Sequence, residues 1–275
     1  MTTTHPADGP VFDLPVLRSS RWMFNCYALV AANDTVVLVD PGLPSTTEGA
    51  LAALADGDRQ NHDVVALVAT HGHSDHVGGM PLARDRVGAH TLLPRRCERY
   101  LQGEPPREFG RDANVRFLPM LGQQPLSFTA ARELIAGSRS IGYGAGSDFS
   151  LPFRPDGFLD DGDELPHAPG WETITTAGHT DDSISFYRRD SATLLSGDAV
   201  LTHDGRAWFN PEWVDADDAA ATEERLRSLE VRHLLPGHGL PIEGDVWAGA
   251  RSMRECPPGR GLLTGCARRF GRWDA

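Results

Sequence analysis

The sequence predicts an α/β fold in a single domain, on three observations. Short apolar runs alternate with amphipathic segments in both halves of the chain. Polar motifs rich in histidine, aspartate and glycine follow the ends of several of those runs. With 275 residues, 40% of them hydrophobic and 23% charged, the chain can bury a sizeable core and has an ordinary globular balance.

Each element has its local reason. Asn25–Val30 and Thr35–Val39 are apolar runs split by Asn33-Asp34, a hairpin turn signal. Asp40-Pro41-Gly42 ends the second run. Ser45 with Glu48 reads as a capping box opening a helix that turns Leu51, Leu54 and Ala55 to the core. Val64–Ala69 is β-branched-rich and fits a buried strand. It leads into His71-Gly72-His73-Ser74-Asp75-His76, a short helix over Val77–Arg86 and a strand over Ala89–Leu93. Residues 95–155 lose the pattern, apart from a helix over Ser127–Ala136, and read as an irregular insert or a lid over a pocket. Regularity resumes at Phe158, with a turn at Asp161-Gly162 and strands over Thr173–Thr176, Ser183–Tyr187 and Ala192–Leu195. A helix over Asp215–Leu229 with Asp215 as its N-cap and a strand over Val231–Leu235 follow. Residues 1–20 read as an N-terminal extension to a domain spanning 21–275.

Composition excludes several functions. The formal net charge of -12 disfavours nucleic acid and anionic membranes as partners, leaving a small-molecule substrate; oligomeric state is not encoded legibly. All 26 basic residues are arginine, so no Walker-type lysine and no lysine Schiff base can operate. Cys26, Cys97, Cys256 and Cys266 form no CxxC pair and suit a reducing compartment. The polar segment Met1–Pro10 lacks a signal-peptide pattern, and no apolar run approaches the ~20 residues of a membrane span, so a cytoplasmic location is expected.

The chemistry concentrates in His71, His73, Asp75 and His76. On an extended segment His71 and His73 point the same way and can grip one ion, while the following helical turn sends Asp75 and His76 towards a second position. Imidazole and carboxylate suit zinc, manganese or iron.

Together with Val39-Asp40-Pro41-Gly42, Ala177-Gly178-His179-Thr180, Ser196-Gly197-Asp198 and Pro236-Gly237-His238-Gly239, this motif resembles the metallo-β-lactamase superfamily in order and spacing, over roughly Asn25 to Ile242. The resemblance implies an αββα sandwich with two divalent metal ions, zinc foremost, at one edge of its sheets. His71, His73 and His179 would hold the first ion and Asp75, His76 and His238 the second, with Asp198 bridging and Asp40 orienting the ligand loop. A hydroxide shared by the ions would be the nucleophile, and Asp75 would orient it and pass its proton to the leaving group.

Departures from subfamily patterns narrow the expectation. Exported β-lactamases of this fold lack the bridging aspartate, which Asp198 supplies here. Flavodiiron members carry glutamate where His73 stands. Glyoxalase-II-type enzymes keep the seven ligands but use lysines on glutathione, and acyl-homoserine lactonases usually place a tyrosine where Leu201 stands. The expected activity is hydrolysis of a carboxylic ester, thioester or lactone. A mononuclear-iron persulfide-dioxygenase type and a non-catalytic ligand-binding member are the alternatives. Trp208, Phe209, Trp213 and Tyr143 are the candidate walls of the substrate pocket.

Overall fold

A computed structural model describes residues 8–55, 63–110, 112–144, 148–259 and 261–273. Two sheets lie face to face. The first has seven strands in chain order: β1 (Asp8–Pro10), β2 (Val16–Arg21), β3 (Phe24–Val30), β4 (Thr35–Val39), β5 (Asp63–Val68), β6 (His90–Pro94) and β7 (Gly157–Leu159). The second runs β14-β13-β10-β9-β8, with β8 (Trp171–Thr175), β9 (Ile184–Arg188), β10 (Thr193–Gly197), β13 (His233–Pro236) and β14 (Ile242–Glu243). A separate hairpin joins β11 (Val200–His203) to β12 (Arg206–Phe209).

The period-2 alternation of strands builds the layers. On β4, Val37 and Val39 face inward, where they meet Tyr27, Leu29 and Val68 of the first sheet and Ile184, Phe186, Leu195 and Leu235 of the second. Val36 and Leu38 face outward onto α1 (Pro44–Ala55) and α3 (Met80–Val87), with Ala50, Leu54, Met80 and Ala83. On the far side, Ile174, Tyr187, Leu194 and Leu234 pack against Ala219 and Leu226 of α7 (Ala216–Arg227). Helix, sheet, sheet, helix: the expected αββα sandwich is the architecture. Strands buried on both faces explain why β4 and β5 read as continuous apolar runs.

Parallel pairings fix where chain ends gather. β4 pairs parallel with β5, and β10 with β13, α1 and α7 providing the crossovers. Asp40, His71, Asp198 and His238 therefore follow the C-terminal ends of β4, β5, β10 and β13, while His179 follows the end of β8.

Several expectations are corrected. Residues 8–20 are no appendage, because β1 and β2 pair in register onto the first sheet. Ser45 does not cap α1: its N–H and hydroxyl donate to Glu133 of α6 (Phe128–Gly137), Thr46 Oγ1 accepts the Leu43 N–H instead, and Glu48 reaches Arg86. Ala55 is exposed rather than core-facing. The insert is more helical than its composition suggests. Besides α6 it forms α4 (Cys97–Leu101) and α5 (Ala113–Leu121), the latter packed against the C-terminal α8 (Leu262–Phe270). Asp215 caps α7 as expected, accepting from the N–H groups of Asp217 and Asp218. No described helix is long and apolar enough to cross a membrane.

Phe186 is fully buried between the sheets. Phe186→Ala should destabilise the metal-free protein by about 3–5 kcal/mol through lost transfer energy and an unfilled cavity. Urea unfolding of the chelator-treated variant measures this, and a loss below about 1 kcal/mol would mean that the sheets repack freely.

Candidate metal centre

The first ligand loop is shaped before it carries any ion. His71 leaves the end of β5, and His73 is the extended N-cap of a single helical turn, α2 (Ser74–Val77), which holds Asp75 and His76. Asp40, in left-handed backbone at φ 52°, accepts the Thr70 N–H at 2.7 Å on Oδ1. Its Oδ2 faces the Thr70 hydroxyl at 2.9 Å and His76 Nδ1 at 3.0 Å. That bond leaves the other ring nitrogen of His76, Nε2, for the site. Gly42 lets α2 approach: a Cβ there would sit 1.6 Å from the Asp75 carbonyl oxygen. Gly197, at φ 49°, turns the chain so that Asp198 points inward.

Seven side chains from four strand ends converge. His71 Nε2 lies 3.0 Å from His73 Nδ1, and His179 Nε2 lies 3.3 Å from the same atom. Asp198 Oδ2 is 3.5 Å from His179 Nε2 and 4.0 Å from His71 Nε2. On the other side, His238 Nε2 stands 3.4 Å from Asp75 Oδ2 and 3.0 Å from Asp198 Oδ2. His76 Nε2 stands 3.4 Å from Asp198 Oδ1 and 3.9 Å from Asp75 Oδ2. A tetrahedral ion with ligands at 2.0–2.1 Å requires donors about 3.3 Å apart, so these separations match two adjacent ion-sized spaces sharing Asp198. Buried His76 Nε2 and Asp198 Oδ1 make no hydrogen bond, which is what atoms aimed at a cation would show.

The electrostatics prepare the same chemistry. Burial, reinforced by neighbouring imidazoles, pushes His71 well down and His73 down to about 3, so both rings are neutral with free lone pairs. Burial also lowers His179. Asp75 and Asp198 are held below the carboxylate range, since His76 and His238 outweigh their burial. Conversely, Asp198 leads the groups that raise His76 and lift His238 to about 9 despite their burial. Cations entering this centre replace protons on those two rings.

Around the ligands lie partners that sequence reasoning passed over. Asn210 Nδ2 reaches the Asp198 carbonyl at 2.8 Å and His179 Nδ1 at 3.0 Å, and the Glu212 carbonyl also stands 3.0 Å from His179 Nδ1. Asp182 accepts the Gly72 N–H at 2.7 Å, pinning the residue between His71 and His73, and also takes the Tyr143 hydroxyl and the Cys97 thiol. Phe109 packs on the rings of His73 and His179, and Phe117 on His238. Glu212 is buried, and its carboxyl is pushed up to about 8 by burial and then by Asp198. A distant acid or phenylalanine leaves no spacing signal in the sequence.

The aromatic residues expected as substrate walls are each packed against other side chains. Trp208 is fully buried, stacked on Trp273, with Nε1 donating to the Glu255 carbonyl. Phe209 stacks on Trp247, and Trp213 lies beneath the Arg116 guanidinium at 3.6 Å. The β11–β12 hairpin commits Trp208 and Phe209 to opposite faces of a strand. Tyr143 stands behind His73, 4.6 Å between ring centroids, with its hydroxyl spent on Asp182.

Comparison with known proteins agrees with the geometry. The sequence profile of the metallo-beta-lactamase superfamily matches residues 21–238. The chain is 26% identical over 229 residues to the probable metallo-hydrolase YflN of Bacillus subtilis, covering 76% of each chain. It is 29% identical over 130 residues to the hydroxyacylglutathione hydrolase of Stenotrophomonas maltophilia, a match spanning 45% of this chain and 48% of that enzyme. Among solved structures, TTHA1623 in a di-iron-bound form superposes with a TM-score of 0.54 at 22% identity, covering 88% of this chain and 98% of that one.

Because Asp40 touches no expected ion but orients His76 and Thr70, Asp40→Asn should lower divalent-metal affinity about 10–100-fold while the chain still folds. Competition with a chromogenic chelator reads the affinity and circular dichroism the fold. Unchanged affinity would remove Asp40 from the support of the site.

Proposed function

The chain belongs to the metallo-β-lactamase superfamily, and from that premise we propose that it is a dinuclear metal-dependent hydrolase of a carboxylic ester, thioester or lactone. The observation that carries this reading is the place of Asp198 between His71, His73 and His179 on one side and Asp75, His76 and His238 on the other, with Oδ2 within 4.0 Å of His71, His179 and His238 and Oδ1 3.4 Å from His76. A pair of divalent ions there would acidify an attacking water and polarise the substrate carbonyl. Zinc is the proposed metal, since His and Asp donors near tetrahedral spacing suit it, with iron or manganese as the alternatives. The similarity to hydroxyacylglutathione hydrolases supports an acyl bond as the target.

The protein's own residues supply positioning and proton transfer. Asp198 places negative charge between two cationic positions. His71, His73 and His179 stay neutral because burial disfavours their protonation. Asp75 is ionised, and its side chain is 16% exposed against 4% for Asp198. It is therefore the carboxylate that both a water and a leaving group can reach. It can receive the water's proton and release it to the departing oxygen or sulfur.

Elemental analysis of gently purified protein should give about two ions per chain, and Asp198→Ala should lower this number and reduce turnover by orders of magnitude. A single iron with oxygen-consuming activity would overturn the hydrolase reading in favour of a persulfide-dioxygenase type.

Asp75→Asn keeps an oxygen for the metal but cannot take a proton. Turnover should fall more than metal content, and more for an alkyl ester than for the phenyl ester of the same acid, because the poorer leaving group needs protonation more. Equal losses that track the lost metal would leave Asp75 as a ligand only.

A further inference from the structure

The three imidazoles expected to share the first ion come from two loops. His71 and His73 follow β5, and His179 lies between β8 and β9. His73 Nδ1 and His179 Nε2 meet at 3.3 Å across the junction, so the spacing of the two loops sets the geometry of that ion. Two hydrogen bonds join the loops, one on either side of His71. The Ile184 N–H donates to the Thr70 carbonyl at 2.8 Å, and the Gly72 N–H donates to Asp182 Oδ2 at 2.7 Å. The first is a main-chain bond that any sequence could make. The second requires a side chain, and it is the one beside His73.

Asp182 is built into this place. It is 2% exposed, and besides Gly72 it takes the Cys97 thiol at 3.1 Å and the Tyr143 hydroxyl. Both of these donors come from the insert, Cys97 from α4. Tyr143 also grips the ligand loop with its main chain. Its N–H donates to the Gly72 carbonyl at 3.0 Å and its carbonyl accepts the Ser74 N–H at 3.1 Å, with His73 between them. Gly72 makes room for this, since a Cβ there would sit 2.8 Å from the rings of both Tyr143 and Phe149. A carboxylate has two oxygens to divide among three donors, whereas an amide has one. Asp40 serves the other part of the centre, through Thr70 and His76. We propose that Asp182 is a positioning residue: its carboxylate ties the His179 loop to the His71–His73 loop and sets the first ion's three imidazoles in register. The ion at Asp75, His76 and His238 is left to other supports. The inference rests on the two-ion reading of the centre and not on which bond is cleaved.

The test reads the two positions separately, by cadmium NMR of the cadmium-loaded protein, and does not depend on turnover. Wild type should give two resonances, one lost in His179→Ala and the other in His238→Ala. Asp182→Leu removes every acceptor at nearly the same size. It should shift or broaden the first resonance alone and weaken the first ion's binding about 10–100-fold in chelator competition. Asp182→Asn keeps an oxygen for the Gly72 N–H and should restore most of both, a rescue that a role in packing alone would not give. Tyr143→Phe removes one donor and should move the same resonance alone, by less; it decides the matter if Asp182→Leu does not fold. Movement of both resonances together, movement of the second alone, or no movement in Asp182→Leu and Tyr143→Phe would overturn the assignment. A single resonance in wild type, lost in His179→Ala and moved by Asp182→Leu, would sustain the contact and count against the two-ion reading instead.

Discussion

The structure depends on one buried carboxylate, Asp198. Taking an ionised group out of water costs several kcal/mol even after relaxation, so the fold keeps it only if opposite charge and polar partners surround it. His76, His179 and His238 stand within 3.5 Å of its oxygens, and each comes from a different strand end. To bring those ends to one point, the chain needs parallel pairings whose C-terminal edges coincide. The sandwich supplies them twice, once in each sheet. The inner layer of Val, Leu, Ile and Phe side chains therefore does more than stabilise: it sets the register in which the site's donors meet.

That convergence has an electrostatic consequence. Five imidazoles share one space, and they divide into two kinds. His71, His73 and His179 are driven towards the neutral form by burial, with neighbouring imidazoles adding to it, whereas His76 and His238, beside Asp75 and Asp198, are driven towards the charged form despite their burial. The centre thus carries positive charge of its own on the side with more carboxylates. Cations that replace those protons meet a place already balanced for them, which is why a cluster of this density is tolerated in the interior. Asp40 has its importance here: it faces the outer nitrogen of His76 and leaves the inner one turned to Asp198 and Asp75.

Legibility in the sequence followed the same division. The apolar runs of β3, β4 and β5, the Asp215 cap and the five motifs of the site were readable because a strand end or a helix start imposes residue types at fixed offsets. Ser45 misled because a capping signature is local, while the side chain found Glu133, 88 positions away, instead. Trp208 and Phe209 misled because aromatic residues near a metal motif suit a pocket and a core equally well. The β11–β12 pairing through the Asp204-Gly205 turn sets which way each of them faces, and it is a tertiary fact. Phe109, Phe117, Asp182 and Glu212 had no signal at all, since each meets the site through tertiary packing and none belongs to a motif.

The insert shows why the substrate side is the less legible half of such a protein. Phe109 and Phe117 belong to it, yet it is not a free flap. Arg116 of α5 is buried, lies over Trp213, and reaches both the Pro211 carbonyl beside Glu212 and the Gly271 carbonyl after α8. One guanidinium thereby ties the insert, the Asn210–Trp213 segment and the C-terminal helix together on one side of the centre. A cation held in this way by a planar aromatic face and several carbonyls gives a fixed geometry that lysine could not reproduce. The aromatic cover over the histidines therefore moves with the segment that carries Glu212, or not at all. The histidines and aspartates of the centre follow strand ends, whereas the cover is held by a tertiary clamp, so the cover must be read from packing and not from motifs.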